Sequence, residues 1–198
     1  AHNVTVVVQW MANVYTVTLD VNGGDKLGMS EINVTYGKEY GELPNATRTG
    51  YGFIGWFTEK DEGERIISTT KVTITSTQTL YAHWTASPVT VRFDGNGGTT
   101  SQDMITVEYN KKYGTLPTAE REGYTFNGWR TEKDEVVTNE TTVTNANEHT
   151  LYAQWVINSY RLTFNYGNGT NTTTDFIYNE TITYPKSLIR EGHTFNGW

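Results

Sequence analysis

The stretch GYGFIGW at residues 50–56 is the key to this sequence, because the chain repeats it. It returns as GYTFNGW at residues 123–129 and as GHTFNGW at residues 192–198, at intervals of about 70 residues. A sequence that matches itself at a fixed interval indicates a tandem array of similar structural units. The array must therefore be divided into its repeats before any single residue is interpreted.

A second marker has the same period. The segment LYAHW at residues 80–84 matches LYAQW at residues 151–155, and VVVQW at residues 6–10 is a weaker copy. All six tryptophans of the chain fall in these two markers. We therefore predict a tail of a preceding repeat at residues 1–10, repeat one at 11–84, repeat two at 85–155, and a truncated repeat three at 156–198.

The composition limits how such repeats can be stabilised. A unit of roughly 70 residues buries only about 60% of the surface that its unfolded chain exposes. The 198-residue chain has no cysteine, which excludes disulfides and thiolate metal sites. Aromatic residues make up 13% of the sequence and must supply much of the buried surface. The net charge of −7 argues against nucleic acid and anionic membrane surfaces as partners. No apolar run reaches the roughly 20 residues that a membrane span needs.

Each repeat contains short runs in which apolar and polar residues alternate. This period of two is typical of half-buried β-strands. In repeat one a first strand begins near Tyr15, and a last strand carries Leu80, Ala82 and Trp84 on its inner face. No segment keeps a 3.6-residue apolar period over eleven or more residues, and residues 60–67 come nearest to one. The prediction is a mainly β fold with at most one short helical turn in each repeat.

The central stretch is predicted to be a strand with two distinct faces. Strict alternation places Tyr51 and Phe53 on one face and Ile54 and Trp56 on the other. The connecting segments between repeats are only three or four residues long, which limits rotation of neighbouring repeats relative to each other. Tandem units joined in this way predict an elongated, semi-stiff array.

The order of the recurring segments resembles that of a known family. Within a repeat the chain reads strand, Asn-Gly-Gly, Val-x-Tyr-Gly-Lys, Leu-Pro, Gly-Tyr-x-Phe-x-Gly-Trp-x-Thr-Glu and Leu-Tyr-Ala-x-Trp. This order resembles the Listeria–Bacteroides repeat, the B repeat of internalins and other surface proteins, over nearly the whole chain. The resemblance implies small β-grasp-like (ubiquitin-like) modules, used in tandem between functional domains and an anchor on the cell exterior. It brings no catalytic residues.

Two patterns suggest ligand sites but have simpler interpretations. An aromatic ring beside glycine can stack on a sugar, yet the tryptophans recur in fixed register, as a structural core requires. Asp20-x-Asn22 and Asp94-x-Asn96 resemble the start of a calcium loop, which needs six to eight oxygens and a carboxylate at its twelfth position. That position is a glutamate in repeat one but Ile105 in repeat two. A tight turn is therefore favoured, and no metal or cofactor is expected.

Catalytic arrangements find no support in the sequence. The four histidines form no pair at metal-ligand spacing and do not recur between repeats: His2, His83, His149 and His193. No serine lies in a Gly-x-Ser-x-Gly elbow. Carboxylates crowd the loop at residues 59–64, which is interpreted as a solvated charged loop rather than an acid–base pair. We expect a protein without enzymatic activity.

Asparagine sequons are about twice as frequent as chance would give. An Asn-x-Ser/Thr sequence accepts an N-linked glycan in a secreted protein of a glycosylating host. A threonine-rich β surface also generates such sequences without any modification. The candidate N-glycosylation sites are Asn3, Asn33, Asn45, Asn139, Asn168, Asn171 and Asn179.

These observations predict an extracellular segment, on a cell surface or secreted, that acts as a spacer, stalk or fibre element. Its partners would be neighbouring repeats of the same chain and, in a fibre, like chains. The alternative is an adhesin module that binds a host receptor or glycan, for which repeat three, with Tyr184 and His193, is the place to look. A third hypothesis, an accessory module of a surface enzyme, requires catalytic residues outside this chain.

Overall fold

The computed structural model describes residues 2–186 and 188–198. In this part of the chain the secondary structure is entirely β, with several small sheets and no helix. Accordingly, no helix there is long and apolar enough to cross a membrane. The chain divides into two compact units. One comprises Ala1–Val89, Glu108–Lys111 and Val143–Asn147, and the other comprises Thr90–Val107, Lys112–Thr142 and Glu148–Trp198.

The sheet of the first unit has five strands in the order β2-β1-β5-β3-β4. The central pair, β1 and β5, is parallel, and the described pairings of the other strands are antiparallel. The strands are β1 at Val14–Asp20, β2 at Glu31–Thr35, β3 at Tyr51–Phe57, β4 at Arg65–Ile66 and β5 at Gln78–Ala86.

The main sheet of the second unit repeats this order as β11-β10-β12-β6-β8, with β6 and β12 parallel. Two short strands, β7 and β9, form a separate pair. The strands are β6 at Pro88–Asp94, β7 at Thr99–Thr100, β8 at Met104–Glu108, β9 at Ala119–Glu120, β10 at Tyr124–Arg130, β11 at Val136–Val137 and β12 at His149–Ile157.

The third repeat contributes a hairpin of β13 at Ser159–Asn165 and β14 at Asn171–Ile177. No strand follows it among the described residues up to 198. β13 pairs with β14 alone in the described pairings, so its other edge is open.

Alternation in the sequence predicts the core correctly in the first and last strands. Val17, Leu80 and Ala82 are completely buried in the first unit, and Trp84 packs against the same cluster. Their counterparts Val91, Leu151 and Ala153 are likewise fully buried in the second unit. These side chains come from the parallel central strands, which are covered more completely than the sheet edges.

The central strand corrects the face assignment made from the sequence. The pairing of β3 with β5 shifts register between Phe53 and Gly55, so Ile54 is an extra residue and stays partly exposed. A β-bulge of one residue reverses the faces that follow it. Phe53 and Trp56 therefore meet on the core side, with their ring centroids 5.6 Å apart. The same shift lies between Phe126 and Trp129.

Two further local expectations are wrong. Residues 60–67 form bends and the short strand β4, not a helical turn, because Gly63 adopts a positive φ of 91° and no second apolar ridge exists. The tail at residues 1–10, which as the counterpart of residues 80–84 would be a last strand, forms no strand in its described part, residues 2–10, and Val6 and Trp10 are 87% and 90% exposed.

Candidate functional site at the glycine–tyrosine turns

Trp56 and Trp129, the tryptophans of the two central stretches, are core side chains rather than ligand platforms. Trp56 and Trp129 are each 2% exposed. Their indole Nε1–H groups donate to the carbonyls of Pro44 (2.7 Å) and Pro117 (2.8 Å). A buried ring whose only polar atom is already bonded has no face to offer a sugar. The structural interpretation of these two residues is confirmed.

The Asp-x-Asn segments are turns. The Asp20 carboxylate accepts a hydrogen bond from the Asn22 amide at 2.8 Å, and the Asn22 side chain donates to the Ala82 carbonyl at 3.1 Å. Asp94 and Asn96 repeat the first of these bonds at 2.7 Å. Oxygens committed to backbone groups form an Asx turn, not a cation cage. Among the described residues no group of three or more His, Asp or Glu side chains could hold a metal.

The histidines have different local roles in the two units. His83 stacks on Phe57 with ring centroids 3.9 Å apart, and its Nε2 lies 2.9 Å from the Glu59 carbonyl. His149 Nε2 lies 2.6 Å from the Tyr113 hydroxyl, and burial raises the pKa of that tyrosine. The carboxylates of residues 59–64 are exposed. The structure brings none of these groups together in a cleft.

The sequon asparagines all lie on the surface, which meets the first steric requirement for a glycan. Asn33 projects from β2, where its Oδ1 accepts a bond from the Thr16 hydroxyl at 3.3 Å. Asn168 accepts bonds from both the amide and the hydroxyl of Thr170. The exposed set is Asn3, Asn33, Asn45, Asn139, Asn168, Asn171 and Asn179.

The glycine–tyrosine turn at the start of β3 receives a tyrosine ring from repeat two within the first unit. Tyr109 meets Tyr51 edge to face, with ring centroids 5.5 Å apart. Ser87 is hydrogen-bonded to both the turn and the incoming tyrosine. Its amide donates to the Gly50 carbonyl and its carbonyl accepts from the Tyr109 amide, each at 3.0 Å. Asn110 adds a bond to the Tyr51 hydroxyl at 3.0 Å.

The second unit contains the same arrangement one repeat later. Tyr178 meets Tyr124 edge to face at 6.0 Å. Asn158 takes the place of Ser87, donating to the Gly123 carbonyl and accepting from the Tyr178 amide, each at 2.9 Å. The pKa of Tyr178 is raised, chiefly because its ring is partly removed from water and to a smaller extent by the charge of the neighbouring Glu122.

Glycine is required at these turns for two physical reasons. Gly50 and Gly123 have φ values of 77° and 76°, which side-chain-bearing residues rarely adopt. A Cβ atom would also lie 2.2 Å from the Tyr109 ring at the first position and 2.0 Å from the Tyr178 ring at the second. An arginine completes each turn, with its guanidinium about 4 Å above the tyrosine ring of the turn (Arg48 over Tyr51, Arg121 over Tyr124).

We name this arrangement the joint: a glycine–aromatic turn, a linker residue, and the tyrosine that follows the second strand of the next repeat. The linker residues are Ser87 and Asn158, and the incoming tyrosines are Tyr109 and Tyr178. The sequence analysis did not predict the contact of these tyrosines with the glycines. The signal was present, because Tyr36, Tyr109 and Tyr178 recur at the same intervals as the glycines.

Comparison with known proteins agrees with this repeated architecture. A family model described as the Listeria-Bacteroides repeat domain matches residues 15–83, 90–154 and 160–198. Together these three matches span nearly the whole chain.

Three relatives extend the similarity. A protein of Evansella cellulosilytica provisionally described as a membrane protein is 33% identical over 98% of this chain and 29% of its own length. A second protein of that organism, provisionally described as a Gly-rich membrane protein, is 30% identical over the full chain and 23% of its own length. Internalin H of Listeria monocytogenes is 37% identical over 63% of this chain and 21% of its own length. The chain thus spans less than a third of each relative.

Proposed function

Because the chain belongs to the Listeria–Bacteroides repeat family, we propose that it is a non-enzymatic, extracellular tandem-repeat segment. Its role is to act as a spacer, stalk or fibre-forming element of a cell-surface or secreted protein. The observation that carries this proposal is the joint, which is built twice from equivalent residues and the same hydrogen bonds. A spacer needs a reproducible connection between repeats, and the joint supplies one.

The proposal includes the organisation of the array. Repeats one and two occupy residues 11–84 and 85–155, residues 156–198 belong to a third repeat, and residues 1–10 are the tail of a preceding one. We also propose that the modules are β-grasp-like. The strand order β2-β1-β5-β3-β4 with a parallel central pair supports this assignment. The helix that usually crosses a ubiquitin-like sheet is replaced by irregular chain in the described residues.

The experiment tests whether the joint holds neighbouring repeats at a fixed distance. Since the chain has no cysteine, spin labels can be placed at Lys26→Cys and Lys133→Cys, two exposed positions in different units. A spacer predicts a narrow distance distribution between the labels. Gly50→Ala should broaden it, while Gly37→Ala, at an equally positive φ of 75° but with open space around it, should not. A broad distribution in the parent chain would contradict the spacer role.

A second candidate function is adhesion to a receptor or glycan. It is favoured by the third repeat, where Tyr184 is 53% exposed. An adhesin predicts that Tyr184→Ala lowers affinity for a surface glycan or receptor, as measured on an array of both. Removal of repeat two would shorten a spacer without changing such binding.

A further inference from the structure

The dipeptide Asn-Gly occurs five times in the chain, and an asparagine in this position is prone to lose its side-chain amide. The glycine nitrogen attacks the side-chain carbonyl carbon of the preceding asparagine, and the missing Cβ of glycine leaves the approach unhindered. In a folded protein the rate depends on how firmly the asparagine is held. The five steps begin at Asn22, Asn96, Asn127, Asn168 and Asn196.

Hydrogen bonds hold the asparagine side chain in the turns that follow the first strands of both complete repeats. Asn22 donates from its side-chain nitrogen to the Ala82 carbonyl at 3.1 Å. Asn96 donates in the same way to the Ala153 carbonyl, also at 3.1 Å. In the third repeat Asn168 is held through its side-chain oxygen, which accepts from the amide and the hydroxyl two residues further along. Ring closure at these steps would have to break hydrogen bonds of good geometry.

Asn127 is held neither by its side chain nor by strand pairing. The pairing of β10 with β12 shifts between Phe126 and Trp129, so Asn127 and Gly128 have no partner residue in β12. Asn127 is exposed, and its side chain makes no hydrogen bond within the part of the chain that the structure describes. A bulge residue lies outside the regular ladder, so its backbone can rotate without breaking the pairing on either side.

The glycine that follows Asn127 also leaves room for the reaction. Gly128 has a φ of 93°, and apart from its chain neighbours no heavy atom lies within 4 Å of the position that a Cβ would take. The bulge of repeat one differs, because its extra residue is Ile54 and a Cβ on Gly55 would lie 2.7 Å from the Arg65 side chain. Of the two complete repeats, only repeat two combines a bulge with an unrestrained Asn-Gly step.

We propose that Asn127–Gly128 is a site of spontaneous deamidation that alters repeat two over time and leaves repeat one unchanged. The Gly128 nitrogen bonds to Cγ of Asn127 as the bond from Cγ to Nδ2 breaks, and ammonia leaves with the proton of the Gly128 amide. Water then adds to either carbonyl of the succinimide ring. Opening on one side yields aspartate, and opening on the other yields isoaspartate. The inference does not rest on the spacer role.

The isoaspartate product changes the path of β10. Its main chain runs through the former side chain, which adds one carbon between Phe126 and Trp129 and leaves a carboxylate beside it. The rings of Phe126 and Trp129 meet edge to face with their centroids 5.3 Å apart, and this contact depends on the length of the bulge. The longer chain should loosen the contact, and the new carboxylate makes the net charge of −7 one unit more negative.

The first experiment measures deamidation at each step. The full chain is kept at slightly alkaline pH, where the glycine nitrogen loses its proton more readily, and is then digested for peptide mass analysis. In the folded chain we expect the Asn127 peptide to gain the mass difference between amide and acid, while the Asn22 and Asn96 peptides keep their masses. In urea the three steps should convert at similar rates, because each asparagine precedes glycine. An unmodified Asn127 in the folded chain, or equally fast conversion of Asn22 and Asn96, would overturn the proposal.

The second experiment follows the consequence for the fold. Asn127→Gln is the matched control, because a glutamine would have to close a six-membered ring and reacts far more slowly. Freshly prepared, both chains should show the same amide hydrogen exchange. After equal incubation, exchange in β10 should accelerate in the parent chain but not in the Asn127→Gln chain, and exchange in β3 should stay unchanged in both. Equal exchange of β10 in the two incubated chains would show that repeat two is unaltered and would overturn that part of the proposal.

Discussion

At the scale of single residues, two glycines are required both by their backbone conformation and by the lack of space for a side chain. Gly50 and Gly123 combine a positive φ with a tyrosine ring in the space that a Cβ atom would occupy. Several other glycines, including Gly114 and Gly128, have a positive φ but open space where a Cβ atom would lie. This difference allows the strain of the backbone to be separated from the contact in the joint.

Gly123→Ala is expected to destabilise the chain more than Gly114→Ala. A left-handed conformation costs alanine about 1–2 kcal/mol at either position. Only at position 123 does the new methyl group also collide with a ring, that of Tyr178, for which a further 1–3 kcal/mol is a typical cost of overpacking (about 2–5 kcal/mol in total). Urea denaturation of both variants measures the difference. Equal losses would mean that the ring contact contributes nothing.

The two buried tyrosines predict a loss of stability at alkaline pH. Burial raises the pKa of both Tyr40 and Tyr113, whose hydroxyls contact Gln78 and His149. A raised folded-state pKa favours folding below the unfolded value of about 10, and this contribution disappears as the pH rises through the folded value. The free energy of unfolding should therefore fall above about pH 10. Tyr40→Phe/Tyr113→Phe should flatten that decline, and an unchanged slope would contradict the assignment.

At the scale of elements, the bulge in the central strand decides which side chains enter the core. The extra residue lies at Ile54 in β3 and in the matching Asn127–Gly128 step of β10. Without the bulge, Phe53 and Trp56, which are three residues apart, would lie on opposite faces of a regular strand. With it, both rings pack on the same side, and the adjacent Gly55 absorbs the unusual backbone with a φ of 145°.

Deletion of Ile54 tests this role. Removing the extra residue should restore regular pairing and leave Phe53 and Trp56 two residues apart, so both rings should stay on the core side and the loss should be about 0.5–3 kcal/mol, as for an ordinary single change. Tryptophan fluorescence and thermal unfolding report the change. Ile54→Thr is the control, because this partly exposed position should tolerate it within about 0.5 kcal/mol. A deletion that exposes Trp56 and costs about 3–5 kcal/mol would show that Ile54 is not the extra residue.

At the scale of the whole molecule, the repeats present a surface rich in threonine and in exposed sequons. In a glycosylating host we expect intact mass to show added hexosamine-containing glycans, and peptide mapping to place them on exposed asparagines. Asn139 is a favourable position because it lies in an exposed turn. Asn168 should be modified less, because its side-chain oxygen already binds both the amide and the hydroxyl of Thr170. Mass equal to the bare polypeptide from such a host would refute glycosylation.

The sequence by itself determined the repeat, the β character and the family. The spacing of the glycine–tryptophan stretches gives the period, and alternation around Val17 and Leu80 identifies the buried faces, because both are read without knowing which strands pair. It did not determine the faces of Phe53 and Trp56 or the role of Tyr109. A bulge depends on the strand opposite, and the ring of Tyr109 reaches a glycine 59 positions earlier in the chain. Such contacts exist only after the strands have paired, so tertiary structure alone decided them.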